Sequence, residues 1–339
     1  MAEYLIQDTT LTNIADEIRI LYGTEDTMTP AVMTSNLNTF NTELGAINVE
    51  QDGLIEQLKN LFGAEFPEAE TLDGCSWENI SKVAASGNAS NFWSVGDTKK
   101  IVLNGTVGTL SLDNYETYVY IIGFNHNGAT GTIDFGAFKT AASDSVDVCL
   151  IDSKYANYST DGTKNFNMNH SSNTNYGGWK GCDLRYDVLG STDINGADAG
   201  ATTATNPVSD TLMAALPSEL RSVMKPMTIY TDNTGGGSDT ASYVAISVDY
   251  LPLLAEFEIF GTRSYANSAE QNYQAQYAYY SAGNSKVKYR HSATSSTARW
   301  LGRSPTYTDG TCFCNVFMDG GPNYGTARYS YALAPIFRV

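Results

Sequence analysis

Charge is scarce in this sequence: Asp, Glu, Lys and Arg make up 17% of its 339 residues, and histidine occurs three times. Intracellular enzymes usually carry more Lys and Glu. The abundance of Asn, Ser, Thr and Gly, with 22 tyrosines, suits an extracellular or particle-surface protein better. No apolar run reaches the roughly 18 residues of a membrane-spanning helix, so none is expected. The first residues, Met1-Ala-Glu-Tyr-Leu-Ile-Gln-Asp, lack a basic stretch followed by an apolar one, and no signal peptide is expected. H-E-x-x-H, G-x-S-x-G, P-loop and G-x-G-x-x-G patterns are all missing, which removes the sequence footing for zinc-protease, serine-hydrolase and nucleotide chemistry. His126, His170 or His291 could supply a general base, but no nucleophile motif accompanies them. The expectation is a protein that is not an enzyme and needs no cofactor.

The five cysteines, Cys75, Cys149, Cys182, Cys312 and Cys314, are odd in number, widely spaced and without a C-x-x-C pair. Cys312 and Cys314 fall on the same side of a strand, too far apart along it for an easy disulfide. The thiols read as mostly free, as in a protein made in a reducing cytosol. Asp193-Ile-Asn195-Gly-Ala-Asp198 faintly resembles a calcium loop but lacks the closing Glu, and short Asp/Asn/Gly runs are usually plain turns. No metal site is expected.

The formal charge of −17 is uneven. Residues 1–87 hold 15 acidic and 3 basic residues, a net of −12, and residues 88–339 hold 22 and 17, a net of −5. Such an acidic N-terminal part repels nucleic acid and anionic membrane, or is simply a solvated helical face; no nucleic-acid partner is expected either way.

Leu11, Ile14, Ile18 and Leu21 recur at helical spacing and predict a helix over 10–22, stopped by Gly23. Thr29-Pro30 starts a second short helix with Met33 and Leu37 on its apolar side. Leu54, Ile55, Leu58, Leu61 and Phe62 predict a third over 47–62, stopped by Gly63. Stripes this thin need further copies or another protein to pack against, unless they form a small helical domain. Gly63, Pro67, Gly74 and Ser86-Gly-Asn-Ala-Ser90 mark a junction, with a domain boundary near residue 88. Strand-rich runs follow at 101–103, 107–112 and 115–124. Helical pieces are expected near 181–189, 208–215, 217–224 and 268–281, and strands at 227–231 and 243–248 around a flexible Gly235-Gly-Gly loop. The last 50 residues read as short strands and loops. The fold class is α+β.

Two segments carry a resemblance. Tyr4-Leu-Ile-Gln-Asp-Thr-Thr-Leu-Thr-Asn-Ile-Ala-Asp-Glu-Ile-Arg, followed by Thr27-Met-Thr-Pro-Ala-Val-Met, resembles a short repeat at the start of tail and structural proteins of phages of Gram-positive bacteria. From Trp93 to Val339, the landmarks Trp93-Ser-Val-Gly-Asp, Tyr118-Val-Tyr-Ile-Ile-Gly-Phe, Gly178-Trp-Lys-Gly-Cys, Leu216-Pro-Ser-Glu-Leu-Arg, Leu254-Ala-Glu-Phe-Glu-Ile-Phe-Gly, Arg303-Ser-Pro and Ala334-Pro-Ile-Phe-Arg-Val are similar to a domain of unknown function of gut bacteria and their prophages. That domain resembles C-type-lectin-fold proteins, including the variable proteins diversified by retroelements. In those systems adenines of a template are replaced, so Asn codons become NNC codons, which cannot encode Lys, Gln, Glu, Trp or Met. From Ser304 to Phe337 only Met318 lies outside the allowed set, where average composition would place roughly five or six such residues.

The resemblance implies a frame at Ser304-Pro305, Phe313-Cys314-Asn315-Val316, Gly320 and Ala334-Pro335, with displayed positions between them. These are Thr306, Tyr307, Thr308, Thr311, Cys312, Phe317, Gly321, Asn323, Tyr324, Gly325, Arg328, Tyr329 and Tyr331, a mix of aromatic, small and Arg residues like that of a paratope. The plain alternative is that Tyr329 and Tyr331, two apart on one strand face, cover the core. The Glu-Pro-Asn and Gln-Pro-Asp tripeptides of calcium-dependent sugar-binding lectins are missing. The Cys312-x-Cys314 spacing does not match the cysteine pair of the related formylglycine-generating enzymes.

Together these readings give an expected organisation. Residues 1–87 are a helical segment that attaches to tail proteins and oligomerises, as a homotrimer by analogy. Residues 88–339 are a C-type-lectin-like (formylglycine-generating-enzyme-like) ligand-binding domain with a variable region at about 304–337. The expected function is a phage tail-fibre or tail-tip adhesin, carried on the virion, that binds a host-surface protein or glycan. Phage particles assemble inside the cell and leave by lysis, which reconciles a surface composition with the lack of an export signal. The alternatives are a structural tail or baseplate protein and a polysaccharide depolymerase, which would show paired carboxylates about 5–10 Å apart in a groove.

Overall fold

The structure is a computed structural model that describes residues 16, 30–62, 65–142, 146–192, 196–200 and 202–339. The expected helix over 10–22 lies outside these residues except for Asp16, which is helical, and so do residues 193–195 of the calcium-like loop. The chain divides into two compact units, Met1–Ala64 and Glu65–Val339.

In the first unit, α1 runs unbroken over Pro30–Phe62 (33 residues). Pro30 stands at its first position and Phe62 at its end, as expected, but the two short helices of the sequence reading are one. Gly45 and Gly53 lie inside it, and an interior glycine costs only about 1 kcal/mol relative to alanine, too little to end a helix with no proline after its first residue. The Thr39 and Thr42 hydroxyls donate back to the carbonyls of Ser35 and Asn38 (3.1 and 2.8 Å) instead of competing for a break. Val32, Leu37, Leu44, Ile47, Val49 and Leu54 are exposed along it.

The second unit begins well before the boundary expected at residue 88. Helix α2, Trp77–Ala85, is capped by Ser76, whose hydroxyl accepts from the amide of Asn79, and it buries Trp77, Ile80, Val83 and Ala84. Trp77 stands edge-on to Phe135 and Phe337, with centroids 5.4 and 6.0 Å away. A boundary at 88 would cut through this core. From Pro67 onward, the Gly/Pro/Ser-rich run lies within this second unit.

The sheet beneath α2 is antiparallel with order β1-β2-β3-β12. β1 (Thr98–Val107) and β2 (Leu110–Phe124) form a long hairpin, β3 (Ile133–Lys139) pairs with β2, and the last strand, β12 (Ile336–Arg338), pairs with β3 through Ile336↔Gly136. β4 (Val148–Cys149) joins β7 (Lys288–Arg290) and β8 (Ala293–Ala298) in a second sheet. β5 (Met227–Asp232) pairs with β6 (Val244–Asp249), at the places expected from sequence. The third sheet has order β11-β10-β9, with β9 at Trp300–Pro305, β10 at Cys312–Val316 and β11 at Pro322–Thr326. Short helices at Asp183–Asp187, Leu212–Ala215 and Ser218–Arg221 fall within the expected helical pieces. The fold class is α+β.

The long irregular segments are held by buried polar side chains that bond to one another and to backbone groups regular structure would otherwise pair. Asp249 accepts from Arg185 Nε (2.6 Å), Trp179 Nε1 (3.1 Å) and the hydroxyls of Ser191 and Ser247 (both 2.9 Å). Glu256 accepts from the amides of Ser264, Tyr265 and Ala266. The helix expected over 268–281 is instead a 3-10 turn at Ser268–Asn272 and a short helix at Ala278–Ser281. Gln274 and Gln276 there donate to the carbonyls of Tyr230 and Ile259, contacts that draw the chain out of helical register. The loop at 235–237, expected to be flexible, is a tight contact. A Cβ on Gly235 would stand 2.0 Å from the carbonyl oxygen of Asn175, and one on Gly237 2.8 Å from the amide of Gly310. All five cysteines are free and buried.

Candidate functional site

The displayed positions sit on the β11-β10-β9 sheet and the loops that continue it. Pro305 and Gly325 flank Phe313 across the sheet, and Leu301 and Asn323 flank Asn315. Of the positions read as frame, Ser304, Pro305, Phe313, Cys314, Asn315, Val316, Ala334 and Pro335 are buried, and Gly320 is half-buried.

The thirteen displayed positions separate by environment. Thr306 and Cys312 are buried (1% and 3% exposed), which corrects their place among the ligand-contacting residues. The Thr306 hydroxyl accepts from the amides of Thr308 and Asp309 and so shapes the turn. Burial pushes the Cys312 thiol pKa up, the signature of an inert packing thiol. Thr311 donates its hydroxyl and amide to Asp309 (2.7 and 2.8 Å), and these bonds hold that carboxyl below its usual pKa. Asn175 clamps the turn from beneath, donating to the carbonyls of Asp309 and Cys312 (2.9 and 2.8 Å) while accepting from the amide of Gly236 (2.8 Å). Gly325 is also a packing residue, because a Cβ there would stand 2.4 Å from the Tyr331 hydroxyl. Gly321 belongs to a turn in which its amide donates to Asp319, and Asn323 accepts from the amide of Tyr324.

The aromatic positions form two clusters. Tyr307 stacks under the Arg263 guanidinium (3.9 Å), and Tyr324 meets Tyr265 edge-on (4.8 Å); exposed Thr308 follows Tyr307 in the chain. The other cluster is concave. Phe317, Tyr329 and Tyr331 join Tyr155, Ala156, Arg290, Arg299 and Met318 around a groove of about 320 Å³. Tyr329 and Tyr331 lie nearly parallel, 5.9 Å apart. Tyr331 is 6% exposed, so the reading that it covers the core is right for most of its surface, and burial raises its pKa. Arg299 lies over Phe317 (4.7 Å) and Tyr331 (5.2 Å) and donates to the Tyr331 hydroxyl (3.1 Å). Arg290 lies over Tyr155 (4.7 Å), whose hydroxyl accepts from the Arg299 amide (2.7 Å). Beside the groove, Arg328 covers Tyr158, which meets Tyr329 edge-on at 5.5 Å.

Tyr155, Tyr158, Arg290, Arg299 and Met318 were missed in the sequence. Tyr158 reaches the site through an isolated bridge to Tyr329, and Arg290 through the parallel pairing of β4 with β7, long-range contacts that no local motif reports; Arg299 is brought in by its contacts with Phe317 and Tyr331, and Met318 directly follows Phe317 in the chain.

Each of the three histidines is engaged by a neighbouring group. His126 stacks on Tyr277 at 3.6 Å, His170 Nδ1 lies 2.6 Å from Asn167, and His291 Nδ1 accepts from the amide of Ile151; burial lowers the pKa of all three. Among the described residues no group of His, Cys, Asp and Glu could hold a metal ion, and no helix is long and apolar enough to cross a membrane. Asp198 of the calcium-like loop is engaged by Lys180 at 3.2 Å.

No curated protein and no solved structure matches the chain. A family model described as Domain of unknown function (DUF6273) matches residues 146–339, a span that holds every residue of the groove and of the second aromatic cluster. By that match, over more than half its length, the chain belongs to the DUF6273 family.

Proposed function

We propose that this chain is a phage tail-tip or tail-fibre adhesin that binds a host-surface molecule through the groove between Tyr155 and Tyr331. The supporting observation is convergence. Phe317, Tyr329 and Tyr331, named from sequence as ligand contacts, meet in one concave site with arginines and a tyrosine from distant segments. Concave, largely apolar sites with a few polar groups are the usual form of small-ligand pockets, and aromatic and Arg side chains dominate recognition energetics. In this reading the domain from Glu65 onward is C-type-lectin-like, and its irregular connections, anchored by Asp249, Glu256 and Asn175, form a fixed frame for displayed side chains. Residues before Glu65, with the exposed apolar positions of α1, attach to tail proteins and assemble a homotrimer. Several weak sites on one particle then act together through effective concentration.

The test is staining of a panel of intact Gram-positive and Gram-negative bacteria with fluorescent full-length chain. Saturable staining of at least one strain, reduced at least about tenfold in apparent affinity by Phe317→Ala with Tyr329→Ala, is expected, since two such anchors together are worth more than 1.4 kcal/mol. No staining across the panel, or staining indifferent to the pair, overturns the reading and leaves a structural tail protein as the better account.

A further inference from the structure

We infer that the groove takes an acidic sugar residue, a ring with one apolar C–H face and a carboxylate; the inference rests on the binding-site reading above and names its ligand class. It starts from an imbalance of charge. Arg185, Arg263, Arg303 and Arg338 each pair with an Asp or Glu. Among the described residues, Arg221, Arg290, Arg299 and Arg328 pair with none, and of these Arg221 is taken up by the carbonyls of Leu216 and Ala204. In a chain with a net charge of −17, three guanidiniums without an acid sit in and beside one groove. The Nε atoms of Arg290 and Arg328 are buried without a hydrogen-bond partner in the protein.

Each of these guanidiniums lies against an aromatic face: Arg290 on Tyr155, Arg299 on Phe317 and Tyr331, and Arg328 on Tyr158. Stacking fixes the plane of a guanidinium and leaves its edge N–H groups to form a fork for a planar anion. The same aromatics offer flat apolar walls. A saccharide carries both features at a matching scale, since its C–H face packs on a ring while its carboxylate lies in the guanidinium plane. The groove, at about 320 Å³, stands at the small end of ligand sites, enough for one or two sugar units. A carboxylate is preferred to a phosphate because phosphate sites characteristically use helix N-termini or nests of backbone amides. The lining here is side chains from loops and strands.

The test uses full-length chain, titrated by calorimetry with a tetrasaccharide containing glucuronate, the same tetrasaccharide with glucose in its place, and a phosphorylated glucose counterpart. The glucuronate form is expected to bind at least about tenfold more tightly than the neutral one, the value of one charge-assisted fork, and to weaken as salt rises. Arg290→Gln and Arg299→Gln are each expected to erase that preference, and Arg290→Lys, which keeps charge without the fork, to retain only part of it. Unchanged urea midpoints identify the variants that report on binding, and two independent arginines guard against loss of either to misfolding.

Equal binding of neutral and acidic forms overturns the inference, as does tighter binding of the phosphorylated form. Failure of all three sugars, with cell staining still dependent on Phe317 and Tyr329, overturns the sugar and keeps the groove. Failure of the sugars with staining indifferent to that pair removes the groove reading and this inference together.

Discussion

Arg303 and Glu258 form a doubly hydrogen-bonded ion pair, 2.6 and 2.7 Å, with both side chains buried. Arg303 also donates to Thr231 and to the carbonyl of Leu253, so it joins β9 to β5 and to the turn before the Glu256–Phe260 helix. The neighbouring guanidinium holds the Glu258 carboxyl below its ordinary pKa against the opposing effect of burial. Removing one partner strands the other as a buried charge. Arg303→Met is therefore expected to cost about 3–5 kcal/mol, read as a lower urea midpoint. Arg303→Met with Glu258→Leu should recover much of that loss, and a double variant no more stable than the single one would show that the pair is not the source.

Glu270 is the opposite case. Burial raises its pKa from 4.5 to about 7, although it accepts from the amide of Asp232 (2.9 Å) and the hydroxyl of Ser304 (2.6 Å). The folded protein thus keeps a proton that the unfolded chain has released, and stability is lost as pH rises from 4.5 to about 7. Glu270→Gln removes the titrating group. The difference in melting temperature between variant and parent is expected to move in the variant's favour across that interval and to stay level above it. A flat difference from pH 4 to 8, about the whole working range of a carboxyl-linked transition, would refute the assignment.

Gly325→Ala tests the packing between the β10–β11 hairpin and the groove. The added methyl would stand 2.4 Å from the Tyr331 hydroxyl and 2.8 Å from ring carbons, and a rigid ring cannot yield as a flexible chain end does. A loss of about 1–3 kcal/mol is expected, by overpacking, together with a changed environment for Tyr331 in tyrosine fluorescence or NMR. Unchanged stability would mean that position 325 can accept side chains as freely as a displayed position should.

Local pattern carried much of the fold and little of the groove. The β1–β2 hairpin and the β5–β6 pair announce themselves as β-rich runs bounded by Asn and Gly, and the start of α1 is marked by Pro30. The landmarks read from resemblance include structural partners: Leu254-Ala-Glu-Phe-Glu-Ile-Phe-Gly holds Glu258, and Arg303-Ser-Pro holds the arginine that pairs with it. Gly178 of Gly178-Trp-Lys-Gly-Cys abuts the carbonyl of Asp232. Exposure was harder to read. Thr306, Cys312 and Tyr331 have the composition of displayed residues, yet the turn that Asn175 clamps and the Gly325 contact draw them inward. Arg290 and Arg299 were silent because a guanidinium without an acid is visible only after the chain has folded.

The placement of the domain boundary gives the last prediction. Trp77 stands edge-on to Phe135 and Phe337, which themselves stack at 5.2 Å across β3 and β12. Lys99 of β1 donates to the carbonyls of Asp73 and Cys75, so the segment before α2 is tied to the sheet as well. A chain beginning at Glu65 keeps these contacts and is expected to unfold in a single cooperative transition. A chain beginning at residue 88 exposes Phe135, Phe337 and the face that α2 covers, and is expected to aggregate or to bind a hydrophobic dye. Within the full chain, Trp77→Ala should cost about 3–5 kcal/mol, as for other buried Trp truncations. If the chain from 88 instead folds cooperatively with an undiminished midpoint, α2 is an appendage and the boundary belongs where the glycine- and serine-rich run suggested.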